Sequence, residues 1–132
     1  MTKVLIAEDN AVNRELLREL LEVRGYAVVE ACDGKEALDM IEQAQPDILL
    51  LDIGMPVLDG FAIVRALREN PRFATLPALA VTAYAMQGDR EKILSSGFDG
   101  YLSKPVNARS LAEELDRLLG KRDKKARAAS GK

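Results

Sequence analysis

The sequence predicts an α/β fold of five consecutive β–α units, and three observations point to it. Short apolar runs alternate five times with longer stretches whose apolar residues recur every three or four positions. The run at residues 47–52 is continuously apolar between two aspartates, which is typical of a strand buried on both faces of a parallel sheet. The connections are short and contain Gly, Pro, Asn or Asp. This alternation implies a parallel sheet covered by helices on both faces.

Five strands are expected, and their predicted positions are residues 3–7, 26–31, 47–52, 79–82 and 100–103. For five such strands we expect the flavodoxin-like order 2-1-3-4-5, which gives a three-layer sandwich with the sheet in the middle. Periodicity supports the fold class, and the order is an expectation that follows from the class.

The helices are placed by apolar spacing and by their ends. The inner stripe of the first helix is predicted to be Val12, Leu16, Leu20 and Val23, with Leu17 and Leu21 widening it. Gly25 is predicted to end this helix. The other helices are predicted at residues 35–44, 59–70, 86–96 and 107–119.

Short polar residues mark the expected helix starts. Asp9 or Asn10 is expected to cap the first helix, Asp59 the third and Asn107 the last, because their side-chain oxygens accept from free N–H groups of the first turn. The fourth helix, residues 86–96, is weakly apolar and contains Gly88. We therefore expect it to be the least stable helix.

Composition restricts the classes of protein that the chain can be. Its 132 residues are 48% apolar and 30% charged, which is typical of one globular domain with a real core. There is no run long enough for a membrane span, and we expect no signal peptide before the first strand. The single cysteine, Cys32, cannot form an internal disulfide and suits a reducing compartment. A cytoplasmic location is expected.

The absence of histidine narrows the chemistry further. It removes the commonest general base and the commonest zinc ligand. Any chemistry must therefore use carboxylates, lysine, hydroxyl groups or a hard metal ion.

The charge is divided unevenly along the chain. Residues 121–132 carry six positive charges and one negative charge, which leaves 13 positive against 20 negative charges in residues 1–120. Basic runs of this kind are usually solvated and disordered. We expect a domain at residues 1–120 and a disordered basic tail at 121–132. Binding of nucleic acid or a partner by the tail is the alternative.

Polar residues follow four of the predicted strands. Glu8 and Asp9 follow strand 1, Asp52 ends strand 3, Thr82 ends strand 4 and Lys104 follows strand 5. The carboxyl ends of parallel strands lie at one edge of a sheet, where ligands bind in open α/β folds. We therefore expect these side chains to share one shallow pocket.

Three clustered carboxylates repel each other, and a divalent cation would relieve the repulsion. Oxygen ligands favour Mg²⁺, or alternatively Mn²⁺, over zinc. A magnesium ion held by carboxylates and a phosphate oxygen is the usual arrangement for phosphoryl transfer. Asp52 is the best-placed nucleophile for attack on phosphorus, and Lys104 and Thr82 would contact phosphate oxygens.

Each of these residues also has an ordinary structural interpretation. Glu8, Asp9 and Asp52 taken singly are more often caps. Thr82 is an ordinary strand residue, and a lysine before proline is usually a surface residue. Their joint placement at four strand ends favours the functional interpretation.

Taken together, these residues resemble those of the receiver domains of two-component response regulators, of the stand-alone type. The resemblance covers residues 3–119. The segments that carry the resemblance are Glu8-Asp9, Asp52-Ile53-Gly54-Met55-Pro56-Val57-Leu58-Asp59-Gly60, Ala80-Val81-Thr82-Ala83 and Lys104-Pro105. In that family the first segment binds metal, the second accepts the phosphoryl group, the third is a switch strand and the fourth is a lysine–proline turn.

The resemblance implies a role for each matching residue. Asp52 would accept a phosphoryl group, and Mg²⁺ would be bound by Asp9, Asp52 and the backbone carbonyl of Gly54. Glu8 would act on the metal through a water molecule. The residues that would respond to the phosphoryl group are Thr82, Lys104 and Tyr101. The resemblance also implies a cis peptide bond before Pro105.

The resemblance further implies how the domain would work. The phosphoryl donor would be a sensor histidine kinase or a histidine phosphotransfer protein. Phosphorylation would switch the face formed by helix 4, strand 5 and helix 5 for binding of a downstream protein. The chain would be a phosphoacceptor switch rather than an enzyme, contributing to its own phosphorylation and dephosphorylation. A monomer or weak dimer is expected, without direct binding of membrane or nucleic acid.

Four alternatives remain open on the sequence. The chain could be a receiver fragment of a hybrid histidine kinase or of a longer regulator. An aspartate-nucleophile phosphatase is disfavoured, because it needs a second aspartate two residues after the nucleophile and this sequence has Gly54 there. A nucleotide- or flavin-binding module needs a glycine-rich phosphate loop, where this sequence has Glu8-Asp9-Asn10-Ala11. A receiver-like scaffold without chemistry is disfavoured, because all the reactive positions are present.

Overall fold

The computed structural model describes residues 2–55, 59–83 and 87–130, and it contains five strands and five helices in strict alternation. The strands are β1 (Lys3–Ala7), β2 (Ala27–Ala31), β3 (Ile48–Asp52), β4 (Ala78–Thr82) and β5 (Gly100–Ser103). The helices are α1 (Ala11–Val23), α2 (Gly34–Ala44), α3 (Gly60–Glu69), α4 (Gln87–Ser95) and α5 (Ala108–Ser130). The predicted strand and helix starts agree to within one residue, apart from Met86, which lies outside the described residues.

The sheet is parallel throughout and has the predicted order β2-β1-β3-β4-β5. The fold class is therefore confirmed. In this order β3 lies at the centre between β1 and β4, and β5 borders β4. The carboxyl ends of β1, β3, β4 and β5 consequently lie beside one another along a single edge.

Alternating side chains of the strands enter two separate cores. In β3, Leu49 and Leu51 pack with α2, α3 and α4, whereas Ile48 and Leu50 pack with α1 and α5. All four side chains are completely buried. A strand that is buried on both faces has no solvent-facing side, which explains the continuous apolar run in the sequence.

The predicted helix caps are present. The side chains of Asn10, Asp59 and Asn107 accept hydrogen bonds from backbone N–H groups three residues later, at 3.0, 2.9 and 2.8 Å. Asp33 caps α2 in the same way at 2.8 Å. After α1 the chain turns at Gly25, which has a φ of +88°, a conformation that glycine adopts without steric cost.

The predicted inner stripe of α1 is correct only in part. Leu17 and Leu21 are the buried residues of this helix, whereas Val12 is 75% exposed and Val23 is 88% exposed. The two possible stripes lie about a third of a turn apart on the helix. The crossover from β1 back to the sheet places Leu17 and Leu21 in one core with Val4 and Ile6, and Leu20 packs against this core. The residues of the pattern that lie on the solvent side are Val12, Leu16 and Val23.

The last helix continues past the predicted domain boundary. The sequence predicts its end at residue 119 and a disordered tail from residue 121, but α5 extends to Ser130. Its inner face is formed by Leu111, Leu115 and Leu118, which are buried. Residues 121–130 are rich in Lys, Arg and Ala, which have high helix propensity. The boundary itself stays a prediction.

Helix α4 contributes little apolar surface among its described side chains, and its lower stability stays a prediction. Ile93 is its buried apolar side chain, and Leu94 remains exposed. Within the described part of the chain, none of the helices combines the length and apolarity that crossing a membrane requires.

A matched pair of substitutions tests the orientation of α1. Leu21→Ala should lower the free energy of unfolding by about 2–5 kcal/mol, because it removes a fully buried side chain and leaves a cavity. Val23→Ala, in the same helix, should change it by no more than about 0.5 kcal/mol, because Val23 already faces solvent. Urea unfolding followed by circular dichroism measures both, and equal losses would show that the predicted stripe is the buried one.

Candidate functional site

Asp52 is the last residue of β3 and lies at the centre of the sheet edge. It is 6% exposed, and each carboxylate oxygen has its own donor. The backbone N–H of Gly54 donates to Oδ1 at 3.0 Å, and Lys104 Nζ donates to Oδ2 at 3.0 Å. A Cβ atom at Gly60 would lie 3.0 Å from the backbone carbonyl oxygen of Asp52. The Asp-Gly pair that opens α3 therefore lets this helix approach the end of β3.

Glu8 follows β1 and is the most deeply buried ionisable residue of the site, at 1% exposed. Its backbone N–H donates to the carbonyl of Ala31 at 3.1 Å, which extends the β1–β2 ladder by one step. Lys104 Nζ donates to Oε1 at 3.3 Å. It also lies 3.2 Å from Oε2, but that oxygen accepts no hydrogen bond from the described residues.

Lys104 connects β5 to both carboxylates. Its backbone N–H donates to the carbonyl of Thr82 at 2.8 Å, which positions the side chain beside the neighbouring strands. The peptide bond between Lys104 and Pro105 is cis, in agreement with the expectation. One ammonium group thus contacts two carboxylates from different strands.

Thr82 and Tyr101 lie on the neighbouring strands. Thr82 ends β4, is buried, and pairs in register with Ser103 of β5. Tyr101 pairs in register with Ala80, further from the edge, and its half-buried ring packs against the core under α4. The guanidinium of Arg90 lies 5.9 Å from the centre of this ring. The sheet thus places Thr82 at the same edge as Asp52 and Tyr101 behind it.

Glu8, Asp9 and Asp52 form a cluster that is suited to a metal ion. Each offers a carboxylate oxygen, and these oxygens lie within 4.8 Å of one another. Asp9 is exposed, so the cluster opens to solvent. The buried oxygen Oε2 of Glu8 lacks a hydrogen bond among the described residues, and a buried polar atom of this kind needs a partner. Hard oxygen ligands and an open side fit Mg²⁺.

The ionisation of the site reflects burial and crowding. Burial raises the pKa of Glu8 above its ordinary value of 4.5, and the nearby Asp52 carboxylate raises it further, against the opposing effect of Lys104. Burial alone would lower the pKa of Lys104, but hydrogen bonds and charges from Asp52 and Glu8 outweigh it, so its pKa is raised. The raised pKa values favour the cationic form of Lys104 and disfavour ionisation of Glu8.

Two contacts to Glu8 were not predicted from the sequence. Asn13 Nδ2 donates to Oε1 at 3.4 Å, and Arg14 Nη1 donates to the backbone carbonyl at 2.8 Å. Both residues lie in the first turns of α1, directly after the acidic pair. The only signal in the sequence was that both residues follow Glu8 closely. The contacts themselves depend on the direction in which α1 leaves the sheet.

The pKa shift of Glu8 gives a prediction about stability. Glu8→Gln should raise the free energy of unfolding at neutral pH in the presence of a chelator, since a buried amide avoids the cost of a buried charge. In the wild type, the folded state holds the Glu8 proton more tightly than the unfolded chain does. The wild type therefore gains stability as the pH falls through the raised pKa toward 4.5, and the advantage of the variant should shrink there.

Urea unfolding at several pH values measures this difference. Glu19→Gln, which removes an exposed carboxylate of α1, is the matched control for the loss of one charge. A Glu8→Gln variant that is less stable than the wild type at neutral pH would contradict the prediction.

Comparison with known proteins identifies the family. The family model for the response regulator receiver domain matches residues 4–116. The polar-differentiation response regulator DivK of Brucella ovis is 39% identical over 121 residues, which cover 91% of this chain and 98% of DivK.

Solved structures agree with this result. The receiver domain of the sensor histidine kinase PA1611 from Pseudomonas aeruginosa PAO1, with a magnesium ion coordinated in its active-site cleft, has a TM-score of 0.83 at 37% identity, covering 90% of this chain and 98% of that one. The chemotaxis response regulator CheY4 of Vibrio cholerae has a TM-score of 0.84 at 33% identity, covering 89% and 98%. The chain therefore belongs to the response regulator receiver domains, whose members act in two-component phosphorelay signalling.

Proposed function

We propose that Asp52 is the phosphoacceptor of a phosphorelay and that the reaction depends on Mg²⁺. One observation carries the proposal. The Asp52 carboxylate lies at the solvent-accessible edge of the sheet, with a lysine ammonium on one oxygen and two further carboxylates within metal-ligand distance. A sensor histidine kinase or a histidine phosphotransfer protein is the proposed donor.

The chemistry assigned to Asp52 is nucleophilic attack on phosphorus. A carboxylate oxygen forms the new O–P bond while the P–N bond of the donor phosphohistidine breaks, and the bonding electron pair returns to the imidazole. The Gly54 N–H and Lys104 hold the two oxygens of Asp52 in fixed directions. This restriction supports in-line attack, because the nucleophile is already oriented.

The residues proposed to hold Mg²⁺ are Asp9, Asp52 and the backbone carbonyl of Gly54, with Glu8 acting through a water molecule. The ion, when bound, would supply positive charge for the phosphoryl oxygens. Mn²⁺ could serve as a substitute, since it accepts the same oxygen ligands. The crowding that raises the pKa of Glu8 supports this assignment, because a cation would offset it.

Lys104 and Thr82 are proposed to detect the modification. Phosphorylation adds about 1.5 to 2 negative charges and new acceptor oxygens at Asp52. Lys104, now shared between Asp52 and Glu8, would contact a phosphoryl oxygen, and the Thr82 hydroxyl would move toward another. The backbone hydrogen bond from Lys104 to Thr82 supports a joint movement of the two segments.

The face proposed to respond is formed by α4, β5 and α5. A groove of about 410 Å³ lies on this face between Arg90, Tyr101 and Val106. Tyr101 would turn inward behind Thr82, and the weakly anchored α4 would shift as a minor conformation gains population. A downstream protein is the proposed partner, and the chain acts as a switch in the cytoplasm, as a monomer or weak dimer, rather than as an enzyme.

Labelling with a small radioactive phosphodonor tests the acceptor and the metal together. Asp52→Ala should abolish labelling, and EDTA should abolish it in the wild type and excess MgCl₂ should restore it. Asp39→Ala, an exposed aspartate of α2, should leave labelling unchanged. Stoichiometric labelling of Asp52→Ala would refute the acceptor, and labelling in EDTA would refute the metal dependence.

Beryllofluoride, a mimic of the phosphoryl group, tests the switch by NMR. In the wild type, amide shifts should change both around Asp52 and across α4, β5 and α5. Thr82→Ala should keep the first set of changes and reduce the second, because the hydroxyl that couples them is gone. Thr75→Ala in the exposed loop before β4 is the control. Full changes across the face in Thr82→Ala would contradict the role of Thr82.

A further inference from the structure

The acidic pair that follows β1 is contacted by Arg14 as well as by Lys104. Arg14, in the first turns of α1, donates from Nη1 to the backbone carbonyl of Glu8 at 2.8 Å. Its side chain is 19% exposed. The guanidinium is mostly shielded from water and donates to a backbone carbonyl, and ordering such a long side chain costs conformational entropy. The contact in turn restrains the loop that carries the carbonyl.

The constraint acts on Asp9 through the peptide bond. The carbonyl of Glu8 belongs to the rigid planar unit that also contains the N–H and Cα of Asp9. The N–H of Glu8 is already fixed to the carbonyl of Ala31. Fixing the carbonyl of Glu8 as well leaves the Glu8–Asp9 peptide little freedom to rotate. The position from which the Asp9 side chain extends is then fixed, although Asp9 itself is exposed.

Glu30 of β2 lies close to the guanidinium of Arg14. Its Oε1 lies 4.0 Å from Arg14 Nε, and its Oε2 accepts from Arg18 Nη1 at 3.5 Å. Glu30 is in register with Ile6 of β1, one strand away from the acidic pair. Its charge offsets that of Arg14, which limits the repulsion that Arg14 would exert on a cation bound at Glu8 and Asp9.

We infer that Arg14 is a positioning residue for the cation site. Through the carbonyl of Glu8 it holds the β1–α1 connection so that the carboxylates of Glu8 and Asp9 remain within ligand distance of Asp52. The inference rests on the proposed Mg²⁺ site. In this inference Arg14 acts by positioning the carboxylates rather than by its charge. The two effects would change the Mg²⁺ affinity in opposite directions. Loss of geometry weakens Mg²⁺ binding, whereas loss of a nearby positive charge strengthens it.

Stepwise addition of MgCl₂ to ¹⁵N-labelled protein, followed through backbone amide shifts, measures the dissociation constant directly. Arg14→Met should weaken Mg²⁺ binding by about tenfold or more, as for other residues that orient metal ligands. Arg14→Lys should recover part of the loss, since an ammonium can also donate to the carbonyl. Arg18→Met is the matched control, because the ion pairs of Arg18 are with Glu15, Glu22 and Glu30. It should change the constant by less than about twofold.

Unfolding in EDTA separates positioning from a general loss of stability. If Arg14 only stabilised the fold, Arg14→Met would lower the urea midpoint in EDTA and leave the Mg²⁺ dissociation constant unchanged, which would overturn the inference. Tighter binding by Arg14→Met would overturn it too, in favour of charge repulsion. A wild type that binds no Mg²⁺ would overturn both the inference and the proposed metal site. A wild type that binds Mg²⁺ with unchanged affinity in Arg14→Met would overturn the inference alone.

Discussion

The ammonium group of Lys104 lies 3.0 Å from Asp52 and 3.2 Å from Glu8, and the arrangement of the site depends on this contact. Two nearly buried carboxylates side by side repel each other strongly, since water does not screen them well. Lys104 reduces this repulsion without removing it, as the raised pKa of Glu8 indicates. A buried ionic cluster of this kind adds little net stability. The negative charge that Lys104 leaves uncompensated suits this edge of the sheet to a bound cation.

The opposite edge of the sheet is held in a different way. Arg68 of α3 donates to the carbonyls of Gly97, Phe73 and Leu76 and to the carboxylate of Asp99. One half-buried guanidinium therefore connects α3, the loop before β4 and the end of α4. The segment after α4 is fixed there, while the start of α4 lies toward the reactive edge. The fold thus combines an edge whose backbone carbonyls accept hydrogen bonds from Arg68 with an opposite edge where charged groups are crowded.

Part of the site was predictable because it follows from local rules. The apolar run of β3 implied burial on both faces, burial implied a parallel sheet, and the sheet placed Asp52 at an edge with Glu8, Thr82 and Lys104. Arg14 and Glu30 were not predictable in this way. Their contacts connect α1 to β2 and to the backbone of Glu8. Every residue has a backbone carbonyl, so the sequence does not show which carbonyl accepts a hydrogen bond.

The five β–α units, the caps and the residues at the strand ends follow from the amino-acid sequence, because they depend on periodicity and on short side chains that bond the neighbouring backbone. The strand order was an expectation from the fold class. The tertiary structure was needed to show which side chains of α1 are buried. Leu17 and Leu21 face Val4 and Ile6, and Val12 and Val23 face solvent, because the crossover sets the rotation of the helix. It also decided that one lysine contacts two carboxylates, since that contact depends on three strands meeting at one edge.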